Sequence, residues 1–278
     1  MQPFGRFIEV VPIEDAEMIF LILTNYWDWE IDPVEYQKLL DSKQPVVVFD
    51  FWEIGWDKDA SGLPFPELNP FFHRTKAYFK RELKKNDGHG WFPIDFYNDW
   101  TWPTTDTFEE FNARPIDLLM CYGLSHPMRP KVHAAIMASG LWTYIDQPEY
   151  MEHEKGPFAL CMFRPHYARV SQENLLPLQA QAKITISIPG AAIKCFRSLE
   201  IINSAMAKPI DNLVWQAGWS DENCIQIDGE AKDWPQKLKE HLADPEVLYQ
   251  KYLNGISVAH ESKPEVVWNT YLLPLITK

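Results

Sequence analysis

Residues 182–209 read AKITISIPGAAIKCFRSLEIINSAMAKP. The first part, 183–188, is a short β-branched run that reads as a buried strand, and it breaks at Pro189-Gly190 before a segment with helical spacing opens. The first N–H groups of a helix have no partner inside it and its dipole favours negative charge, so strand, glycine turn and helix outline a phosphate site. Gly190 marks the turn. Arg197 and Glu200, near the start of that helix, then supply a cation for a diphosphate and a carboxylate for ribose hydroxyls. The same pattern also describes a plain strand-loop-helix unit with a surface Arg and Glu, because one glycine is less than a G-x-G-x-x-G fingerprint.

Working outward, composition fits a soluble enzyme. The chain has 278 residues, enough for one large domain or two modest ones with a real core. Hydrophobic residues are 46% and aromatics 14%, which excludes a disordered segment. A net charge of -13 speaks against a general nucleic-acid binder, which needs a basic face to release counterions. Any bound phosphate must therefore be met by local cations. Cys121, Cys161, Cys195 and Cys224 are scattered with no C-x-x-C pair, so neither a zinc site nor a disulfide framework is indicated. The N-terminal MQPFGRFIEVVPIEDAEMIF lacks a basic region followed by a long apolar one, and no later run approaches ~18 apolar residues. The expectation is a cytoplasmic protein without a transmembrane segment.

Alternating elements predict an α/β chain in two parts. Residues 17–24 and 45–51 are apolar runs of strand length with a helical pattern over 33–40 between them, a βαβ cue. Residues 73–85, HRTKAYFKRELKK, have helical spacing with Tyr78, Phe79 and Leu83 inward and a basic outer face that includes Lys80 and Arg81. Residues 88–107 are loop-like. In the second part, strands are expected over 115–122, 158–163, 183–188 and 223–228, and helices over 131–139, 233–242 and 245–253. Parallel sheets covered on both faces follow from such alternation.

The order YGLSHPMRPKVHAAI, AKITISIPGAAIKCFRSLEIINSAMAKPI, NCIQID and LKEHLADPEVLYQKYLNGISVA resembles the donor-binding half of GT-B glycosyltransferases. It is most similar to the exostosin-like and group 1 branches, where a strand and glycine turn lead into a helix bearing R-x-x-E. The N-terminal VVVFDFWEIGWD and TKAYFKREL resemble the acceptor half of small exostosin-like transferases, xylosyltransferases of large algal viruses among them. The resemblance implies a compact GT-B fold, two Rossmann-like domains facing across a cleft. Residues 1–110 would bind the acceptor and 111–260 the nucleotide-sugar donor, with 261–278 packing back on the first domain. It further implies sugar transfer from a nucleotide diphosphate, UDP favoured and UDP-xylose included, to a hydroxyl of a glycan or glycoprotein, with inversion favoured and no metal cofactor. Carried over by motif position, Arg129, Lys131, His126, Gly190, Arg197, Ser198 and Glu200 bind the donor.

The general base is expected after the strand that ends at Asp50, since loops at the carboxyl ends of parallel strands carry the chemistry of such sheets. Glu53, Asp57 and Asp50 are the candidates in that order, partly desolvated by Phe51, Trp52 and Trp56. Each also has a plain reading, Asp50 as a helix cap and Asp57 as an exposed acid. Asp57-Lys58-Asp59 is in addition a D-x-D, with which GT-A transferases hold Mn²⁺ or Mg²⁺. Here it lies a full loop beyond the strand rather than closing it, which weakens that alternative. Seven tryptophans crowd residues 27–102, where sugar C–H faces would stack on indole; Trp56, Trp100 and Trp102 are the acceptor candidates. A non-catalytic carbohydrate-binding protein is the alternative from another class.

Overall fold

The computed structural model describes residues 11–23, 33–50, 73–80, 83, 85, 91–94, 106–122, 126–141, 159–163, 172–189, 201, 203–211, 218–261 and 263–277. The chain divides into two units. Met1–Tyr97, Asn212–Gln216 and Ser262–Lys278 form the first, and Asn98–Asp211 with Ala217–Glu261 the second.

In the first unit β1 (Ile19–Leu23), α1 (Pro33–Asp41), β2 (Val46–Asp50), β3 (Thr75–Lys80) and β4 (Phe92–Pro93) follow in order. The strands form an all-parallel sheet, β1-β2-β3-β4. β2 is buried along its whole length, which explains its unbroken apolar sequence: an inner parallel strand is covered on both faces. Alternate residues part accordingly. Val46, Val48 and Tyr78 join Ile19 and Leu39 of α1. Val47, Phe49, Ala77, Phe79 and Ile94 meet Val267, Trp268, Leu272 and Ile276 on the opposite face. Those last four belong to a helix Pro264–Val267, a π-helical turn Trp268–Leu272 and a helix Leu273–Ile276, so this run supplies four of the nine buried residues of this core. Lys76 Nζ donates to the Ile276 carbonyl at 3.1 Å and fastens that run to β3.

The helix expected over 73–85 is instead the strand β3. Ala77, Tyr78 and Phe79 are buried in succession, Ala77 and Phe79 in one core and Tyr78 in the other. Two covered faces at a period of two are a strand's geometry, and an amphipathic helix has only one.

The second unit holds α2 (Phe108–Asn112), β5 (Ile116–Tyr122), α3 (Met128–Ala138), β6 (Ala159–Phe163), α4 (Gln172–Ala180), β7 (Ala182–Ile186), β8 (Ala205–Pro209), β9 (Ile225–Ile227), α5 (Trp234–Leu242) and α6 (Pro245–Glu261). Its parallel sheet runs β6-β5-β7-β8-β9. Leu118, Met120, Ile184, Ile186, Ala205, Ala207, Ile225 and Ile227 turn one face of that sheet to Val132, Ile136, Trp234, Leu238, Leu248 and Tyr252 of the covering helices. The sequence reading had no place for α4, which contains Pro177, and no strand at β8, whose Ala, Met and Lys are helix formers by local preference. Asn254-Gly255 does not end α6 either, which continues to Glu261. A Cβ on Gly255 would stand 3.0 Å from the Asn223 carbonyl, so the glycine lets the helix pass close to that backbone.

The amino edge of this sheet is held by buried Arg114. Its Nη1 donates to the Ala182 carbonyl at 2.6 Å and to that of Asn203, while Nε and Nη2 donate to Asp106 at 3.1 and 2.8 Å. The Phe111 and Tyr252 rings flank the guanidinium at 4.7 and 4.8 Å. Among the described residues no helix is long and apolar enough to cross a membrane.

Candidate functional site

In open parallel sheets ligands bind beyond the carboxyl ends of the strands, at the point where strand order reverses. In the second unit β5 has β6 on one side and β7 on the other, so the reversal falls between β5 and β7. The segments leaving those two strands lead to α3 and to Ser187-Ile188-Pro189. Arg129, buried in the first turn of α3, donates Nη2–H to the Ile188 carbonyl at 3.0 Å and so ties the two loops across the reversal point.

α3 itself starts in an unusual way. The Met128 N–H donates to His126 Nδ1 at 3.2 Å, the Arg129 N–H to the His126 carbonyl at 3.0 Å, and residue 130 is a proline. His126 therefore occupies two of the amides a phosphate would use, and Pro130 removes a third. An anion at this helix must be met by side-chain cations. Lys131, exposed in the same turn, is the accessible one and has no hydrogen-bond or ion-pair partner among the described residues. His126 accepts at Nδ1, which puts its proton on Nε2. Burial, and then the Arg129 charge, hold its pKa below the usual histidine value.

Further along the same edge stands a pair the sequence reading missed. Lys208, the buried penultimate residue of β8, bonds Asp211 at 2.7 Å, with 5% and 10% of the side chains exposed. Lys208 lies opposite Gln226 of β9, and Ser187 N donates to Ala207 O at 2.7 Å, so the pair adjoins the loop leaving β7. Nothing but acid-base spacing at i and i+3 signalled it.

The first unit carries its own polar cluster at the carboxyl edge. Asp50 and Lys80, the last residues of β2 and β3, are cross-strand partners. Asp50 is 2% exposed, and its Oδ2 accepts from Tyr78 Oη at 2.8 Å and from Lys80 Nζ at 3.4 Å. Tyr78 stacks on Trp91 with centroids 4.8 Å apart, and Lys80 Nζ lies 5.2 Å from the same indole. Burial and the Asp50 carboxylate push the Tyr78 hydroxyl far above its ordinary pKa, so it stays a proton donor. Lys80 does not sit on the solvated helix face that the sequence suggested. Alternation of Tyr78 and Lys80 against Ala77 and Phe79 was the signal that could have placed it. Glu53, Asp57, Trp56, Trp100 and Trp102, and in the second unit Gly190, Arg197, Ser198 and Glu200, lie outside the described residues, as does the D-x-D.

No protein-family model and no curated protein sequence matches the chain. Solved structures do. TarM aligns over 99% of this chain and 57% of its own, with TM-score 0.54 and 7% identity. Anabaena HepE in complex with UDP aligns over 88% and 76%, with TM-score 0.52 and 8% identity. An α,α-trehalose-phosphate synthase (UDP-forming) from Burkholderia vietnamiensis aligns over 87% and 69%, with TM-score 0.54 and 10% identity. The chain thus spans little more than half the length of TarM. At these identities the likeness shows the fold, the GT-B type built from two Rossmann-like units.

Proposed function

We propose that the protein is a glycosyltransferase that moves a sugar from a nucleoside diphosphate, UDP favoured, to a hydroxyl of a glycan acceptor without a metal cofactor. The observation that carries this reading is the reversal point of the second sheet, where Arg129 joins the β5 and β7 loops and Lys131 stands exposed beside them. Two of the structural relatives are described with UDP, one as a complex and one as UDP-forming. The exostosin-like and xylosyl narrowing rests on the sequence motifs alone.

In the reaction so proposed, the bond from the anomeric carbon to the diphosphate breaks and its electron pair leaves with the phosphate oxygen. Lys131, with Arg197 from the glycine-turn segment, neutralises that oxygen, and Arg129 keeps the loops in register. His126 offers an Nε2–H to the donor, and Glu200 grips the ribose. The acceptor hydroxyl attacks the opposite face of the sugar and loses its proton to a carboxylate. Asp50 is nearly buried and already bonded to Tyr78 and Lys80, which suits positioning. The base is then assigned to Glu53 or Asp57. If Asp57 and Asp59 instead hold a metal, activity falls with a chelator.

Thermal unfolding with UDP, GDP, ADP and CMP, each with and without Mn²⁺, tests the reading. A ligand specific to the folded state at ~100 times its Kd adds about 2.7 kcal/mol. A metal-independent shift with UDP that shrinks in Lys131→Ala is the expected result. No shift with any nucleotide would sink the transferase reading.

A further inference from the structure

The cluster at the carboxyl edge of β2 and β3 is not accounted for by packing. A buried ion pair is on average no more stabilising than apolar residues of the same volume, because both charges must be desolvated. Asp50 and Lys80 are also not buried alike. Asp50 has 2% of its side chain exposed and Lys80 has 20%. Asp50 is thus the deeply buried member of the pair, and Lys80 the one whose side chain keeps some surface in reach of solvent.

Further contacts fix that arrangement. Tyr78 Oη gives Asp50 a second donor at 2.8 Å, which keeps the carboxylate in place beneath Lys80. Lys80 Nζ lies 5.2 Å from the Trp91 indole centroid, and the indole is steadied by stacking on Tyr78. The bond from Lys80 Nζ to Asp50 is 3.4 Å long and uses one of three N–H donors. A lysine normally loses substantial rotamer entropy when it engages a ligand; one already held by a carboxylate and an indole loses less.

We propose that Lys80 and Trp91 form a subsite for an anionic sugar residue of the acceptor, a uronate being the simplest, with Lys80 meeting the carboxylate and Trp91 packing on the ring. Asp50 and Tyr78 position Lys80 and do not touch the ligand. An indole beside a cation suits a ligand that carries an apolar C–H face and a negative group together. The inference rests on the transferase reading for the word acceptor. The binding chemistry is independent of it.

Glucuronate and glucose are titrated separately into the full-length protein, followed by tryptophan fluorescence, for wild type, Lys80→Met and Lys80→Arg, with UDP titrated in parallel. A cooperative thermal transition well above the assay temperature qualifies each variant as folded, a lower midpoint being expected for Lys80→Met, which removes this cation from Asp50. The expected result is a preference for glucuronate over glucose of about tenfold that is lost in Lys80→Met, restored in Lys80→Arg and reduced by salt, with UDP affinity unchanged. Equal binding of the two sugars by wild type, no glucuronate binding at millimolar concentration, or a preference that survives Lys80→Met overturns the proposal. Loss of UDP affinity in Lys80→Met overturns it as well, since the anion would then belong to the donor. A protein that prefers glucuronate yet binds no nucleotide keeps the subsite and loses the transferase reading, so the two failures are separable.

Discussion

Replacing Arg114 by methionine isolates the part of the second unit that holds the strands in order. Methionine keeps an unbranched stem between the Phe111 and Tyr252 rings, so apolar contact is largely preserved while every donor is removed. The carbonyls of Ala182 and Asn203 then lose their charged donor; both residues are buried, at 0% and 5% exposure. An acceptor left without a partner costs roughly 1–3 kcal/mol, and a bond to a charged group is at the upper end. Asp106 is 32% exposed, so water can replace the guanidinium there and the ion pair itself adds about 1 kcal/mol or less. The expected loss is roughly 3–5 kcal/mol. Urea unfolding of the intact chain, followed by far-ultraviolet circular dichroism, measures it, with Asp106→Asn as the comparison. A loss in Arg114→Met below about 1 kcal/mol, the level of an ordinary surface substitution, would refute the claim that the carbonyl bonds carry the effect. So would an equal loss in Asp106→Asn, which would transfer the effect to the ion pair.

Two further outcomes follow from titration. Burial lowers the pKa values of His126, His133 and His241 from the ordinary 6.5, so between that value and each lowered one the unfolded chain binds more protons than the folded one. Stability must then rise with pH through this window: the contribution is complete above about 6.5 and is lost as pH falls through the lowered values. Urea midpoints at a series of pH values test the slope, and a midpoint flat across that range would contradict it. Cys224 is buried and its thiol is pushed up to about 11, so iodoacetamide at pH 8 should leave Cys224 and buried Cys121 unmodified in the native protein and label both in denaturant. Peptide mapping by mass spectrometry reads this directly, and native labelling of Cys224 would contradict its burial.

The strands of the first and second sheets were legible wherever a parallel strand is covered on both faces. The runs VVVFD, IDLLMCY and the start of AKITISIPG carry enough Val, Ile and Leu to exclude a half-wet surface. Legibility failed where local preference and tertiary placement disagree. In β8 the residues Ala205 and Ala207 are helix formers by themselves, yet they lie between β7 and β9 and face the covering helices, where small side chains leave room for close packing. In β3, flanking lysines and arginines imitate a basic helical face, and only the succession of buried Ala77, Tyr78 and Phe79 shows that two faces are covered.

The same failure hid the chemistry. Treated as a helix, residues 73–85 scatter Tyr78 and Lys80 around an axis, and neither has a reason to meet Asp50. As a strand paired in register with β2, Lys80 is the direct partner of Asp50, and Tyr78, two residues back, points to the same side of the sheet. Sequence motifs that act within one segment, such as Arg129 and Lys131 on one turn of α3, can be read without knowing the sheet. The cluster Asp50, Tyr78, Lys80 and Trp91 is drawn from separate segments, so it exists only once strand register is fixed. A one-residue slip of β3 against β2 would turn Tyr78 and Lys80 to the opposite face, leaving Asp50 buried without either donor. Register at this edge is thus coupled to the cluster's electrostatics, and Lys80→Met should loosen the end of β3, with amide exchange accelerated over wild type at positions 79 and 80 more than at Ala77. Equal acceleration along β3 in that variant would show that the apolar core alone sets the register.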